Sequence, residues 1–255
     1  MKRLLIAAVA FVLAAGSGMS QEFGKYHPLY FTAGIPASGH ADGATADLKF
    51  QFGTSVTLFD DIGRHEGFDF DFVYNQVSVW NFFAFSSPFK DHMFMPALYL
   101  SVPVRAGSLV TGIEHRSNGR PLVGSIDEGL SRSVNYVFAE YGYAFCGGLV
   151  LKANLRAGFG WYEDEFTQDV FSRFLGYGDL TVGYRKGRLE AAVKATPVFG
   201  PFHVNLQAEA AYHVGACAVF VQYFRGYGEA LADWTREGAF PGPHVRFGVL
   251  FGKLL

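Results

Sequence analysis

The sequence has little charge and no excess of positive charge. Charged residues make up 17% of its 255 residues, and 21 Lys and Arg against 23 Asp and Glu leave a formal charge of −2. With 50% hydrophobic residues, the chain is too apolar to be intrinsically disordered. Nucleic acid is not expected as a partner, because binding it requires a concentration of basic residues.

Long hydrophobic runs are also lacking. The one extended apolar stretch, residues 4–15, follows Lys2 and Arg3 and precedes small residues up to Ser20, which is typical of a secretory signal peptide. This stretch is shorter than the roughly 20 residues that a helix needs to cross a bilayer, so we expect no transmembrane helix. We therefore predict that residues 1–20 are cleaved and that residues 21–255 form a single domain.

The sequence is instead rich in aromatic residues and glycine, and it alternates with a period of two. It contains 27 Phe, 13 Tyr and 31 Gly, which favours strands over helices. In residues 149–161 apolar side chains alternate with polar ones such as Lys152 and Arg156. This is the period of a β-strand with two different faces. The same alternation recurs in residues 188–197, 202–212 and 244–251.

Alternation alone allows a soluble β-sandwich or a membrane β-barrel. The export signal, the aromatic residues at strand ends such as Trp161 and Tyr212, and the alternation of short and long connections favour the barrel. A sheet in lipid must close on itself, so we predict an all-β, twelve-stranded antiparallel transmembrane β-barrel with both termini on the periplasmic side. The predicted strands are residues 27–34, 46–58, 68–80, 94–104, 108–118, 133–145, 149–161, 177–185, 188–197, 202–213, 217–228 and 243–255.

Charges of both signs fall on the inward face of these strands. A general porin would keep a wet channel, whereas long side chains of opposite sign can pair across the lumen and fill it. We predict a plugged barrel whose function lies on its outer wall or in its loops. The inward charges are Glu114, Arg116, Glu140, Lys152, Arg156, Glu190, Lys194, Glu209 and Arg246.

The two cysteines are predicted to be unpaired. Cys146 and Cys217 fall in turns at the same periplasmic rim but four strands apart, which is on the order of 19 Å along the sheet. A disulfide requires Cα atoms within about 7 Å of each other. We therefore expect two free thiols despite export.

One hairpin carries residues with catalytic chemistry. His115 and Ser117 are two residues apart in the fifth predicted strand, so both project from its outward face. Asn135 has the outward parity in the sixth strand, and pairing it with His115 gives a row of Ser, His and Asn. In such a row the imidazole can take the serine proton while the amide oxygen fixes its tautomer. The same spacing is nevertheless common in strands that have no catalytic role.

Several motifs resemble those of the bacterial outer membrane phospholipase A family. HRSNGR at 115–120, followed by SRSVN at 131–135, resembles that family's active-site signature. SSPF at 86–89, GYGEALADW at 226–234 and KFQF at 49–52 are similar to further motifs of the family. The resemblance covers most of the mature chain, and it implies a calcium-dependent hydrolase of phospholipid acyl esters on a twelve-stranded barrel in the bacterial outer membrane.

The resemblance also implies roles for individual residues. Ser117 would be the nucleophile, His115 the general base and Asn135 the residue that orients it, while the Gly119 amide would stabilise the oxyanion. Calcium would be bound by the backbone oxygens of Arg120 and Ser131 and by the Ser86 side chain of a second subunit. The active form would then be a homodimer, and these oxygens are ligands that calcium prefers.

Some residues are open to two interpretations. Asp127 and Glu128 lie in a segment that is longer than the resemblance leads us to expect, and they are either extra calcium ligands or part of a solvated loop, which we favour. For Glu229 and Asp233 we predict a polar outer loop without a catalytic role. Gln76 and Trp80 are predicted at a subunit interface. The alternative function is an inactive barrel that serves as a pore or a scaffold.

Overall fold

The protein forms a closed antiparallel β-barrel. The computed structural model describes residues 20–43, 45–105, 107–120, 131–159, 170–200, 202–235 and 240–255. Within these ranges the strands are β1 (Gln21–Phe23), β2 (Leu29–Pro36), β3 (Asp47–Phe59), β4 (Asp69–Trp80), β5 (Phe89–Val104), β6 (Gly107–Ser117), β7 (Ser133–Ala144), β8 (Leu149–Phe159), β9 (Gly178–Lys186), β10 (Leu189–Phe199), β11 (Phe202–Val214), β12 (Cys217–Arg225) and β13 (His244–Phe251).

Strands β2 to β13 make the barrel wall. Each pairs with its neighbours in chain order, and the β13–β2 pairing closes the sheet. The predicted twelve-stranded fold is therefore confirmed. Strand β1 was not predicted, and it pairs with Thr54–Val56 of β3, beyond the residues of β3 that pair with β2. Strand β5 begins at Phe89 rather than at residue 94, because Val77–Val79 of β4 pair with Asp91–Met93 and, after a bulge, Trp80 pairs with Phe89.

The outer wall of the barrel is apolar. Large hydrophobic side chains project from it, with Leu155 71%, Phe202 65% and Phe247 62% exposed. A continuous apolar surface of this kind is unfavourable in water and is typical of a wall that contacts lipid. Alternating residues of the same strands point inward, as the sequence predicted.

Buried ion pairs fill much of the lumen. The Arg246 guanidinium forms paired hydrogen bonds with Asp47, at 2.7 and 2.8 Å, and with Glu229, at 2.7 and 2.9 Å. The Lys49 ammonium donates to Glu229 at 2.7 Å. A cavity of about 300 Å³ remains between Tyr26 and Lys194. The described lumen thus has the mixed, paired charges that the sequence predicted.

The segment before β2 enters the lumen. Lys25 and Tyr26 both bond to the buried Asp71, and His27 lies 3.1 Å from the Tyr99 hydroxyl.

Within the described ranges, no helix is both long and apolar enough to cross a bilayer. Cys146 and Cys217 are free thiols, as predicted.

Candidate active site

Strands β6 and β7 bring the predicted catalytic residues together. In the antiparallel register His115 pairs with Asn135, and Ser117 pairs with Ser133. Ile113 and Val137, which have the same parity, are each 45% exposed on the outer wall. His115, Ser117 and Asn135 therefore lie on the outward face near the outer end of the hairpin, in the pairing that the alternation predicted.

The imidazole has one defined partner. His115 Nδ1 lies 2.7 Å from Asn135 Oδ1. An amide oxygen can only accept, so Nδ1 carries a proton, and in the neutral form of the ring Nε2 is then the atom with the lone pair. This is the tautomer in which a histidine accepts a proton from a nearby hydroxyl.

The inward neighbours of His115 are fixed by a polar network in the lumen. Glu114 is 5% exposed and accepts hydrogen bonds from Tyr99, at 2.8 Å, from Arg116, at 3.0 Å, and from Tyr136. Arg116 also donates to the Tyr136 hydroxyl at 2.9 Å. Because Glu114 and Arg116 alternate with His115 and Ser117, this network fixes the backbone that carries the outward pair.

Strand β6 ends at Ser117, and Asn118 and Gly119 follow it. Asn118 is buried, and its Oδ1 accepts the backbone N–H of Arg132 at 3.0 Å. Gly119 has φ +64°, and a Cβ there would lie 3.2 Å from the Phe94 ring. This conformation favours glycine and leaves the Gly119 amide close in sequence to the Ser117 hydroxyl.

Two residues predicted to bind calcium are adjacent, but they meet through the Ser131 hydroxyl and not through its carbonyl oxygen, which is the predicted ligand and which accepts from Arg132 Nη1 at 3.0 Å. The Ser131 hydroxyl donates to the Arg120 carbonyl oxygen at 2.9 Å. Uncharged oxygens that lie this close together fit a calcium ion, which binds carbonyl and hydroxyl oxygens. No cluster of three His, Cys, Asp or Glu residues suited to a metal occurs in the part of the chain that is described. Asp127 and Glu128 fall outside the described residues.

Ser86 lies on the neighbouring outer loop. It is exposed and has φ 63°, in a turn whose end is fixed by the Trp80 indole N–H, which donates to the Ser87 carbonyl at 2.7 Å. Phe85, beside it, is 97% exposed. Trp80 thus orders the loop that presents Ser86.

Gln76 belongs to a polar row on the outer wall. The Tyr74 hydroxyl donates to Gln76 at 2.9 Å, Gln76 donates to Ser78 at 3.1 Å, and the Ser78 hydroxyl lies 2.9 Å from His92 Nδ1. The odd-numbered residues of β4, such as Val77, are buried in the lumen, so this polar row faces outward. We refer to Tyr74, Gln76, Ser78 and His92 as the polar row.

Residues 226–235 enter the lumen, so the prediction of a polar outer loop for Glu229 was wrong. Glu229 is 8% exposed and is bonded to Lys49 and Arg246, so it lies in the lumen rather than in a solvated outer loop. Asp233 pairs with Lys90 at 3.0 Å. Residues 226–235 turn inward because their apolar side chains, such as Leu231 and Trp234, are buried between the strands, which strand alternation cannot indicate. We refer to residues 226–235 as the lumen loop.

The family profile of phospholipase A1 matches residues 32–242. The chain belongs to the phospholipase A1 family. A curated relative in Neisseria meningitidis serogroup B, named "Putative phospholipase A1", is 27% identical over 224 residues. The match covers 81% of this chain and 56% of the relative, so the chain spans little more than half the length of that protein.

Solved structures with the same fold are outer membrane phospholipases. The Escherichia coli outer membrane phospholipase A is 20% identical, with a TM-score of 0.74 over 90% of this chain and 94% of that chain. A Salmonella typhi outer membrane phospholipase, a dimer with bound calcium, is 21% identical, with a TM-score of 0.75 over 92% of this chain and 94% of that chain. At these identities the similarity establishes that this member of the phospholipase A1 family shares their barrel fold.

Proposed function

We propose that the protein is a calcium-dependent phospholipase of the bacterial outer membrane, which hydrolyses acyl esters of glycerophospholipids with Ser117, His115 and Asn135. The observation that carries this proposal is the 2.7 Å contact between His115 and Asn135 beside Ser117. The three residues lie on an apolar outer wall, where a lipid ester can reach them without entering a pocket. Family membership agrees with this substrate class.

The reaction follows from the defined tautomer. His115 Nε2 takes the Ser117 proton as the hydroxyl oxygen attacks the ester carbonyl carbon. The carbonyl π bond breaks to give a tetrahedral oxyanion, and the imidazolium then donates its proton to the departing alcohol oxygen. Water, deprotonated by His115, releases the acyl group from Ser117 as a fatty acid. Asn135 accepts from Nδ1 throughout and keeps the ring oriented.

The Gly119 amide is the candidate oxyanion donor, since fixed N–H dipoles stabilise the charge that develops on the carbonyl oxygen. Arg120 and Ser131 would contribute oxygens to a calcium site next to Gly119, and Ser86 of a second subunit would complete this site. A bound calcium ion would add positive charge beside the developing oxyanion. Because these ligand oxygens are uncharged, most of the positive charge of the ion would remain available to stabilise the oxyanion.

A homodimer is part of the proposal. The polar row contains Gln76 and His92 on a wall that otherwise contacts lipid, where polar groups are unfavourable. A second subunit that packs against this row would cover it and bring its own Ser86 towards the neighbouring site. The related Salmonella typhi structure is a calcium-bound dimer, which supports the same arrangement here.

We propose that the protein is exported and resides in the outer membrane. The apolar wall suits a bilayer, and residues 1–20 have the composition of a cleaved signal peptide. Lipids that reach the outer leaflet would then be the substrates.

A calcium-dependent activity assay tests the proposal. Protein refolded in detergent should hydrolyse phospholipid acyl esters with calcium and lose this activity in chelator, while Ser117→Ala should be inactive under both conditions. Folding of each sample is checked by its heat-modifiable mobility in electrophoresis. A folded wild-type protein that hydrolyses no phospholipid at any calcium concentration would favour the inactive pore or scaffold, and conductance in planar bilayers would then separate those two.

A further inference from the structure

The lumen loop packs tightly inside the barrel. Ala230, Leu231 and Trp234 have no exposed surface. The Trp234 ring stacks on Phe174 at 5.7 Å, and its indole N–H donates to the Tyr227 carbonyl at 2.8 Å. These contacts hold the lumen loop between the strands, where it can support the residues that bond to it.

One attachment joins the lumen loop to β5. The buried Asp91 accepts the Ala232 backbone N–H through Oδ2 at 2.8 Å. Its other oxygen, Oδ1, faces Arg120 Nε at 3.6 Å. The Arg120 guanidinium also donates to the Lys90 carbonyl. Asp91 thus links the loop to the residue whose carbonyl is a candidate calcium ligand.

A second attachment joins the lumen loop to the chain around Ser131. Arg132 is 2% exposed, and its Nε donates to the Trp234 carbonyl at 2.7 Å. Its Nη1 donates to the Ser131 carbonyl at 3.0 Å, and its backbone N–H donates to Asn118 at 3.0 Å. One buried residue therefore connects the lumen loop and Ser131, through its side chain, and Asn118, through its backbone N–H.

We propose that Asp91 and Arg132 are positioning residues that attach the Arg120 and Ser131 oxygens to the lumen loop and so preorganise the calcium site. The inference rests on the proposed function. Both attachments reach the site from the lumen side, whereas substrate would approach from the outer wall. Neither residue touches substrate, and both act by fixing the spacing of oxygens that are carried by two different segments.

Calcium titrations of four variants test this inference. Asp91→Asn keeps an acceptor for the Ala232 amide but removes the charge that faces Arg120, and Arg120→Ala removes the guanidinium but keeps the carbonyl. Each should raise the calcium concentration for half-maximal activity about tenfold, and the double variant should shift it no further than Arg120→Ala alone, because Asp91 then has no guanidinium left to face. Arg132→Lys, which keeps the charge but loses the Nε donor, should give a similar shift.

The titrations need a readout besides activity and a matched control. Calcium should raise the unfolding temperature of the wild-type protein, followed by loss of the folded electrophoretic band, and in the variants this rise should require about tenfold more calcium. Asp179→Asn alters another lumen carboxylate, the partner of Arg156, and should leave both midpoints unchanged. Rescue at high calcium would distinguish a lost position from a lost fold.

Wild-type midpoints in Asp91→Asn and Arg132→Lys would overturn the inference, as would additive shifts in the double variant. If Asp91→Asn does not fold, Arg120→Ala and Arg132→Lys still decide the question. An unfolding temperature of the wild-type protein that does not respond to calcium would also reject the inference. Absence of hydrolysis by a wild-type protein whose unfolding does respond would instead reject the proposed function alone.

Discussion

His115 and Asn135 contribute unequally to the proposed chemistry, because one moves the proton and the other orients the ring. Removing the base should abolish activity, while removing the orienting amide should leave part of it. We expect His115→Ala to be as inactive as Ser117→Ala, and Asn135→Ala to retain at least about tenfold more activity than either. Initial rates of ester hydrolysis at saturating calcium measure this. Equal loss in all three variants would show that Asn135 does more than orient the imidazole.

Gly119 gives a second prediction for a single residue. Its φ is +64°, and a side chain added there would place its Cβ 3.2 Å from the Phe94 ring, which leaves little room. Gly119→Ala should shift the amide and lower kcat roughly ten- to a hundredfold, with a smaller change in KM, because a small misplacement of a catalytic group is costly. The control is Gly67→Ala, at a positive φ with no atom within 4 Å. Wild-type kcat in Gly119→Ala would remove this amide from the oxyanion site.

Part of the candidate site was predictable from the sequence. Parity alone predicted the outward pair of His115 and Ser117, since it depends only on alternation along one strand. Asp91 and Arg132 were missed because their partners are distant in sequence. Arg132 and Trp234 are 102 residues apart, and no period along the chain relates them.

The charge of Glu229 in the lumen loop contributes to the stability of the fold. Burial by itself would raise the pKa of Glu229, but the neighbouring charges of Arg246 and Lys49 outweigh it and lower this pKa to about 2 from its ordinary value of 4.5. A carboxyl group whose pKa is lower in the folded state stabilises the fold at pH values above 4.5. That stabilisation is lost as the pH falls from 4.5 towards 2.

Glu229→Ala should therefore destabilise the barrel. It leaves Lys49 and Arg246 with fewer counter-charges in the lumen, and breaking a buried pair in this way costs about 3–5 kcal/mol. Urea unfolding in detergent should show this loss at about pH 7, and a much smaller difference from wild type near pH 2. Lys90→Ala, which breaks a more exposed pair with Asp233, should change stability by less than about 1 kcal/mol. Equal stabilities of Glu229→Ala and wild type at neutral pH would contradict the role given to this network.

In the proposed dimer, calcium binding and the association of the two subunits depend on each other. Because one calcium ligand would come from the second subunit, calcium should increase the yield of cross-linked dimer and chelator should reduce it. Gln76→Ala should lower the yield in calcium, because it removes a member of the polar row. Leu180→Ala, on the exposed wall of β9, should not. Full activity of a monomer in chelator would refute the metal and dimer proposals together.

The barrel as a whole was largely predictable from the sequence. Strands with two faces follow from alternation, and lumen charges such as Glu114 and Arg246 follow from the same parity. Strand β1 and the outward extension of β5 were not predictable, because an edge pairing and a bulge depend on where the partner strand lies. The inward path of the lumen loop was missed for a related reason, since its buried contacts come from strands on different sides of the barrel.

Ser117 is proposed as a nucleophile on the outer wall of the barrel. Reaction with a serine-directed fluorophosphonate, followed by mass spectrometry of the digested protein, tests this role. In calcium one serine should be phosphonylated, and it should be Ser117; His115→Ala or chelator should largely prevent the reaction. Modification of another serine instead, or no modification of a folded, calcium-loaded protein, would contradict the role of Ser117 as the nucleophile.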